Sequence, residues 1–204
     1  MFDVNDVASL LCEKSGKALR FMVGIAGPPG AGKSTVSAAL RDALVARGQT
    51  AIVVPMDGFH FDDAVLNARG HRPRKGAPFT FDVYGFEVLL KRIKAREPDI
   101  AIPVFDRTME LSRAAADIVT NEAKFILVEG NYLLLQSAPW DRLKPLFDFT
   151  LFINVAEAEL ERRLMSRILA HGHDEAYAKN WIASNDMLNI REVQAKSAAA
   201  DLII

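Results

Sequence analysis

The chain has 204 residues, half of them hydrophobic and a quarter charged, a composition typical of globular domains and unlike disordered, collagen-like or coiled-coil chains. One core can hold a chain of this length without staples, and the lone Cys12 fits a reducing compartment. The formal charge of −1, from 25 basic and 26 acidic residues, excludes whole-protein electrostatics as a route to nucleic acid or an anionic membrane.

Val4, Val7, Leu10 and Leu11 recur at helical spacing and predict an amphipathic helix over 3–16, ending at Gly16. Its scattered Asp3, Asp6, Glu13 and Lys14 give neither the basic start nor the apolar core of a signal peptide. No uncharged run approaches the roughly 20 residues of a membrane helix, so a cytoplasmic location is expected. The apolar run 19–26 is too short and too glycine-punctuated for a helix and reads as a buried strand. A helix over 34–47, stopped by Gly48, and a second strand over 51–56 complete a βαβ unit, which implies a parallel sheet. Further strands are expected at 125–128, 149–155 and 201–204, and helices at 86–96, 140–147, 157–170 and 174–196. Two shorter strands, 99–105 and 117–120, pair outside this alternation. Trp181 and the 185–188 stretch are expected to pack the last helix against the sheet. With no repeat and no linker, the chain reads as one domain over 1–204.

Between the first strand and the following helix lies Gly27-Pro28-Pro29-Gly30-Ala31-Gly32-Lys33-Ser34-Thr35, two glycines four residues apart followed by Lys and two hydroxyls. Glycines let successive amides turn toward phosphate oxygens, and the helix presents its positive end. Lys33 then neutralises the β and γ phosphates, and the Ser34 hydroxyl ligates Mg²⁺. This Walker A turn predicts ATP and Mg²⁺ as the nucleotide and cofactor. Two further strands end in an acid followed by glycine, at Asp57-Gly58 and Glu129-Gly130. Both acids should project toward the phosphates, where one carboxylate can take the proton of an attacking hydroxyl and another can hold Mg²⁺. No Asn-Lys-x-Asp guanine-reading tetrad is present, which argues against a regulatory GTPase and leaves a small-molecule kinase as the better reading.

From Ala64 to Thr80 there is no acidic residue, yet Arg69, Arg72, Arg74 and Lys75 lie there, flanked by Phe59, Phe61, Phe79, Phe81 and Tyr84. Basic groups with aromatic edges suit a polar or phosphorylated small molecule, with a solvated basic loop as the competing account. Arg163 and Arg167, four apart on one helix, share a face. Over the phosphate loop they would stabilise charge on the transferring phosphoryl group. The alternative is a solvated face paired with Glu159.

The 27–34 loop, Met56-Asp57-Gly58-Phe59-His60, Arg74-Lys75-Gly76 with Pro78, Thr80-Phe81-Asp82, Pro103-Val104-Phe105-Asp106, Val128-Glu129-Gly130 and Arg163-Leu164 with Arg167 together resemble the phosphoribulokinase and uridine kinase family of P-loop kinases. Type I pantothenate kinase belongs to the same family. Within it, the chain is most similar to bacterial proteins labelled fructose transport system kinases. The resemblance implies Asp57 as general base, Glu129 as a Mg²⁺ partner, an acceptor-binding segment over 57–120 and a lid over 157–180. The implied acceptor set is His60, Arg72, Arg74, Lys75, Asp82, Tyr84, Phe105, Asp106 and Arg113. Uridine kinases carry His and Arg after their Tyr-Asp pair, whereas here Phe105-Asp106 is followed by Thr108-Met109-Glu110 and then Arg113. The expected architecture is therefore a three-layer α/β/α domain with a mainly parallel sheet of about five strands and a small acceptor-binding extension. The expected reaction is ATP-dependent phosphorylation of a hydroxyl on a sugar or sugar derivative, with pantothenate or a nucleoside as the alternative acceptor. An ATP-dependent regulatory module acting on a protein is the alternative of another class. The partner is expected to be a small molecule rather than nucleic acid or membrane, and the chain is compatible with a homodimer.

Overall fold

The computed structural model describes residues 3–204. Its centre is a parallel sheet of five strands: β1 (Phe21–Ala26), β2 (Ala51–Pro55), β5 (Phe125–Gly130), β6 (Phe149–Phe152) and β7 (Leu202–Ile203). Their spatial order is β2-β5-β1-β6-β7. β1 and β5 are buried along their whole length, which is why they read as unbroken apolar runs rather than alternating ones. Successive side chains still point to opposite faces. Met22, Val54, Ile126 and Val128 enter one core with Phe86, Leu90 and Ile93 of α4 (Val83–Lys94). Val23, Ile25 and Leu127 enter the other, with α1 (Val4–Ser15), α2 (Lys33–Val45) and α5 (Glu157–Ala170). Helices therefore cover both faces, giving the expected three layers. No helix is long and apolar enough to cross a membrane among the described residues.

The first helix follows its sequence signals: Asp3 caps its start by accepting from the Asn5 amide, and Gly16 closes it. β3 (Ile100–Asp106) and β4 (Leu111–Val119) form an antiparallel hairpin outside the main sheet, where two shorter strands were expected. Two readings need correction. The helix expected at 140–147 is two 3₁₀ turns, Trp140–Arg142 and Lys144–Leu146, because Pro145 supplies no amide and disfavours helical angles at Lys144. The 64–80 segment, read as a basic loop, holds most of α3 (Asp63–Ala68), capped by Asp62, and two 3₁₀ turns. The last helix runs over 175–196 as expected, with a π-turn inside it. α6 (Glu175–Trp181) and α7 (Met187–Lys196) are separated by a π-turn over Ile182–Asp186.

Register brings the chemistry to one edge. Glu129 stands opposite Ile25 of β1 and Pro55 of β2, so the phosphate loop after β1, Glu129 at the end of β5 and Asp57 two residues past β2 share the carboxyl edge of the sheet. Ligands bind at this edge in open parallel sheets. The glycine after each acid has a packing reason. A Cβ on Gly58 would collide with the Pro103 carbonyl of β3, and one on Gly130 would collide with the Met56 side chain.

Candidate active site

The loop after β1 turns on Gly30 (φ 81°) and Gly32 (φ 91°), left-handed positions that disfavour any residue with a Cβ. α2 then starts at Lys33, so its unpaired amides and positive end face the loop. Lys33 is 9% exposed, and its Nζ donates to the Pro28 carbonyl at 3.0 Å. Burial lowers the Lys33 ammonium to about 8, against the opposing pull of Glu129 and Asp57. The Ser34 hydroxyl donates to Glu129 Oε1 at 3.0 Å, joining the two residues expected at the metal. Thr35 lines a cleft of about 360 Å³ beside the loop, together with Ala31, Gly32, Ile153, Asn154 and Arg163.

The two carboxylates differ. Burial works against the charge on Asp57, but His60, Arg107 and Lys33 outweigh it and hold the carboxyl below the usual aspartate range. Glu129 is raised, first by burial and then by the charge of Asp57. Neighbouring carboxylates driven in opposite directions are a recognised signature of divided acid, base and ligand roles. Asp57 Oδ2 accepts from Arg107 Nη2 at 2.6 Å. His60 sits beside them, with Nδ1 at 2.8 Å from the Asp57 carbonyl and its ring between Phe81 and Phe105, at centroid distances of 3.9 and 4.9 Å. Burial lowers the His60 imidazole, against the opposing charge and carbonyl of Asp57.

On α5, Arg163 reaches the phosphate loop: Nη1 lies 3.4 Å from the carbonyls of Gly30 and Ala31, while Nε donates to Glu159 at 2.7 Å. Arg163 is thus paired with Glu159 and at the same time placed against the phosphate loop. Arg167 is exposed, and its charge acts on Lys33 and on Asp186.

The expected acceptor set does not come together as one free surface. Lys75 is 9% exposed; it is bonded to Asp63 at 2.7 Å and to the Glu110 carbonyl at 3.0 Å. Arg72 shares Asp63 at 2.7 Å, and Arg74 is held by Asn185 and Asn189 at 2.9 and 3.1 Å. Arg72, Arg74 and Lys75 are thus fastened to their surroundings rather than freely solvated. Asp82 caps α4 through the Gly85 amide and, with Tyr84, lines a separate cleft of about 460 Å³ with Phe61, Phe79 and Trp140. Asp106 accepts from the Thr108 and Met109 amides and pairs with Arg113 at 3.3 Å, so both serve the hairpin turn. His60 and Phe105 remain beside Asp57.

Two residues near the site went unread in the sequence. Arg107 follows the Phe105-Asp106 motif directly, and that adjacency was the available signal. Asp186 ends the π-turn at 7% exposure, its Oδ2 buried without a hydrogen-bond partner. Burial raises its carboxyl to about 6, with Arg167 pulling the other way. Of the 185–188 stretch expected to pack inward, Asn185 and Asp186 are buried and form a polar group with Asn189, while Leu188 is exposed.

Comparison with known proteins agrees with this geometry. The model of the Phosphoribulokinase / Uridine kinase family matches residues 22–204. YggC of Escherichia coli, a protein of uncharacterised function, is 36% identical over 190 residues, spanning 91% of this chain and 77% of its own. A Schizosaccharomyces pombe protein named for uridine kinase is 33% identical over 196 residues, spanning 91% and 83%. A crystal structure from Silicibacter sp. TM1040, named for a fructose transport system kinase, superposes with a TM-score of 0.94 at 38% identity over the whole of both chains.

Proposed function

The chain belongs to the phosphoribulokinase/uridine kinase family of small-molecule P-loop kinases, and from that premise we propose that it transfers the γ-phosphoryl group of ATP to a hydroxyl of a sugar or sugar derivative. The observation that carries the site assignment is the contact of Ser34 with Glu129 at 3.0 Å, beneath a buried Lys33 and beside a separately ionised Asp57. A hydroxyl and a carboxylate so close suit a hard, oxygen-seeking cation. Ser34 and Glu129 would hold Mg²⁺, which when bound offsets charge on the phosphates.

In this reading Lys33 and the α2 amides hold the β and γ phosphates, and the cleft at Thr35, Asn154 and Arg163 takes the nucleoside. The acceptor lies along His60 and Phe105 with its hydroxyl toward Asp57. As the acceptor oxygen bonds to the γ phosphorus, its proton passes to the Asp57 carboxylate. The bond from the γ phosphorus to the bridging oxygen breaks, with its electron pair leaving on ADP. Arg163 and Arg167 would offset the charge spread over the transferring group. The chain is read as one kinase domain, with 57–120 as acceptor segment and 157–180 as lid. A sugar is favoured because the His-Arg element of uridine kinases is replaced after Phe105-Asp106 and because the Silicibacter structure carries a sugar-system name.

The test is ADP release with D-fructose, D-ribose, D-glycerate, pantothenate and uridine. Acceleration by a sugar or sugar acid supports the reading. Preference for pantothenate or uridine replaces the acceptor class, and acceleration by none of the five overturns the reading.

A further inference from the structure

Asp57 and Glu129 place two carboxylates close enough for the charge of one to raise the other, and nearby cations make it possible for both to stay ionised. Lys33 is one such cation. The other comes from neither the phosphate loop nor the lid but from the separate β3–β4 hairpin, whose turn carries Arg107. Three contacts fix that turn: Asp106 accepts from the Thr108 and Met109 amides, Arg113 pairs with Asp106, and Lys75 bonds the Glu110 carbonyl. At its base the hairpin packs against Gly58, the residue after Asp57, where only glycine leaves room for the Pro103 carbonyl.

We propose that Arg107 is the positioning residue of the candidate base: the hairpin seats its guanidinium on one oxygen of the Asp57 carboxylate, at 2.6 Å, and leaves the other oxygen to the acceptor hydroxyl. The proposal rests on the reading of Asp57 as base. Arg107 is the sole donor bonded to the Asp57 side chain among the described residues, so Oδ1 stays available. Its guanidinium lies 5.8 Å from the centre of the Phe105 ring, which limits its swing. An arginine suits this task better than a lysine. Its planar fork of donors can hold one carboxylate oxygen in a fixed direction, which a flexible ammonium cannot. The segment that faces the acceptor therefore also sets the geometry of the base, so the hairpin must be seated before Asp57 can act.

The test is a double-mutant cycle on turnover, using the fastest acceptor among the five compounds above: native protein, Arg107→Ala, Asp57→Asn and the double variant. If Arg107 acts through Asp57, Arg107→Ala lowers kcat at least thirtyfold with the KM for ATP changed less than threefold. The double variant is then within threefold of Asp57→Asn alone. Methylguanidinium at millimolar concentration should restore at least tenfold of the activity of Arg107→Ala, since the site of the lost group is 57% exposed; a merely structural loss would not be rescued. Native kcat in Arg107→Ala overturns the proposal, as do multiplicative losses in the double variant, which would mean that Arg107 acts on the phosphoryl group or acceptor independently. Native kcat in Asp57→Asn is a different failure, for it removes the base reading itself.

Discussion

Replacing Asp186 by Asn should stabilise the protein. The carboxyl ends the π-turn, is 7% exposed, and keeps Oδ2 without a partner, so its ionised form loses hydration without recovering it elsewhere. Burial raises it from 3.8 to about 6. At about 1.4 kcal/mol per unit, that difference of about 2 units corresponds to at most about 3 kcal/mol. The sign follows from linkage. The folded carboxyl holds its proton more tightly than the unfolded one, so its contribution is fully favourable below about pH 4 and is lost as pH rises to about 6. An Asn cannot ionise and escapes that loss. Urea unfolding at pH 8 should find Asp186→Asn more stable by about 2–3 kcal/mol, several degrees in Tm for a domain of this size, with the gain shrinking toward zero near pH 4. A variant no more stable than the native protein at pH 8, or a difference that does not vary with pH, would refute the reasoning. Persistence of so costly a group in the native sequence fits a site in which stability yields to function.

Two further outcomes follow from the buried lysines. Because the unliganded Lys33 titrates near 8 and phosphate charge favours its protonated form, ATP binding at pH 8.5 should take up a proton. Calorimetry in buffers of different ionisation enthalpy should show this in the native protein and not in Lys33→Ala, and buffer-independent heats would contradict it. Lys75→Met strips a buried cation from Asp63 and Glu110 and should cost roughly 1–3 kcal/mol, given that Asp63 is partly solvated and keeps Arg72. Urea denaturation would detect this, and an unchanged midpoint would mean that the loop is not fastened as described.

The phosphate loop, both acids and the sheet were legible because each is carried by residues adjacent in sequence and confined by one local rule: glycine for the turn, apolar runs for buried strands. What escaped depends on distance or on a break in period. The counterion of the basic loop is Asp63, the residue just before the stretch that holds no acid, and its other anchors, Glu110, Asn185 and Asn189, lie far along the chain. Arg107 reaches Asp57 across 50 residues, a pairing that no periodicity encodes. The π-turn at Ile182–Asp186 adds a residue to a helical repeat that reads as continuous, so Asn185 and Asp186 looked like packing positions. Asp82 and Asp106 match motif positions of the family, yet here each bonds its own helix start or turn, and Arg113 pairs with Asp106.

The most direct test of the central claim is the fate of the γ-phosphoryl group, followed by ³¹P NMR during ATP turnover with the preferred acceptor, in the native protein and in Asp57→Asn. The account predicts one phosphomonoester per ADP in the native protein, with Asp57→Asn slowed roughly 10²- to 10⁴-fold at little change in ATP affinity. Inorganic phosphate formed at the same rate with or without acceptor, and unaffected by Asp57→Asn, would contradict it.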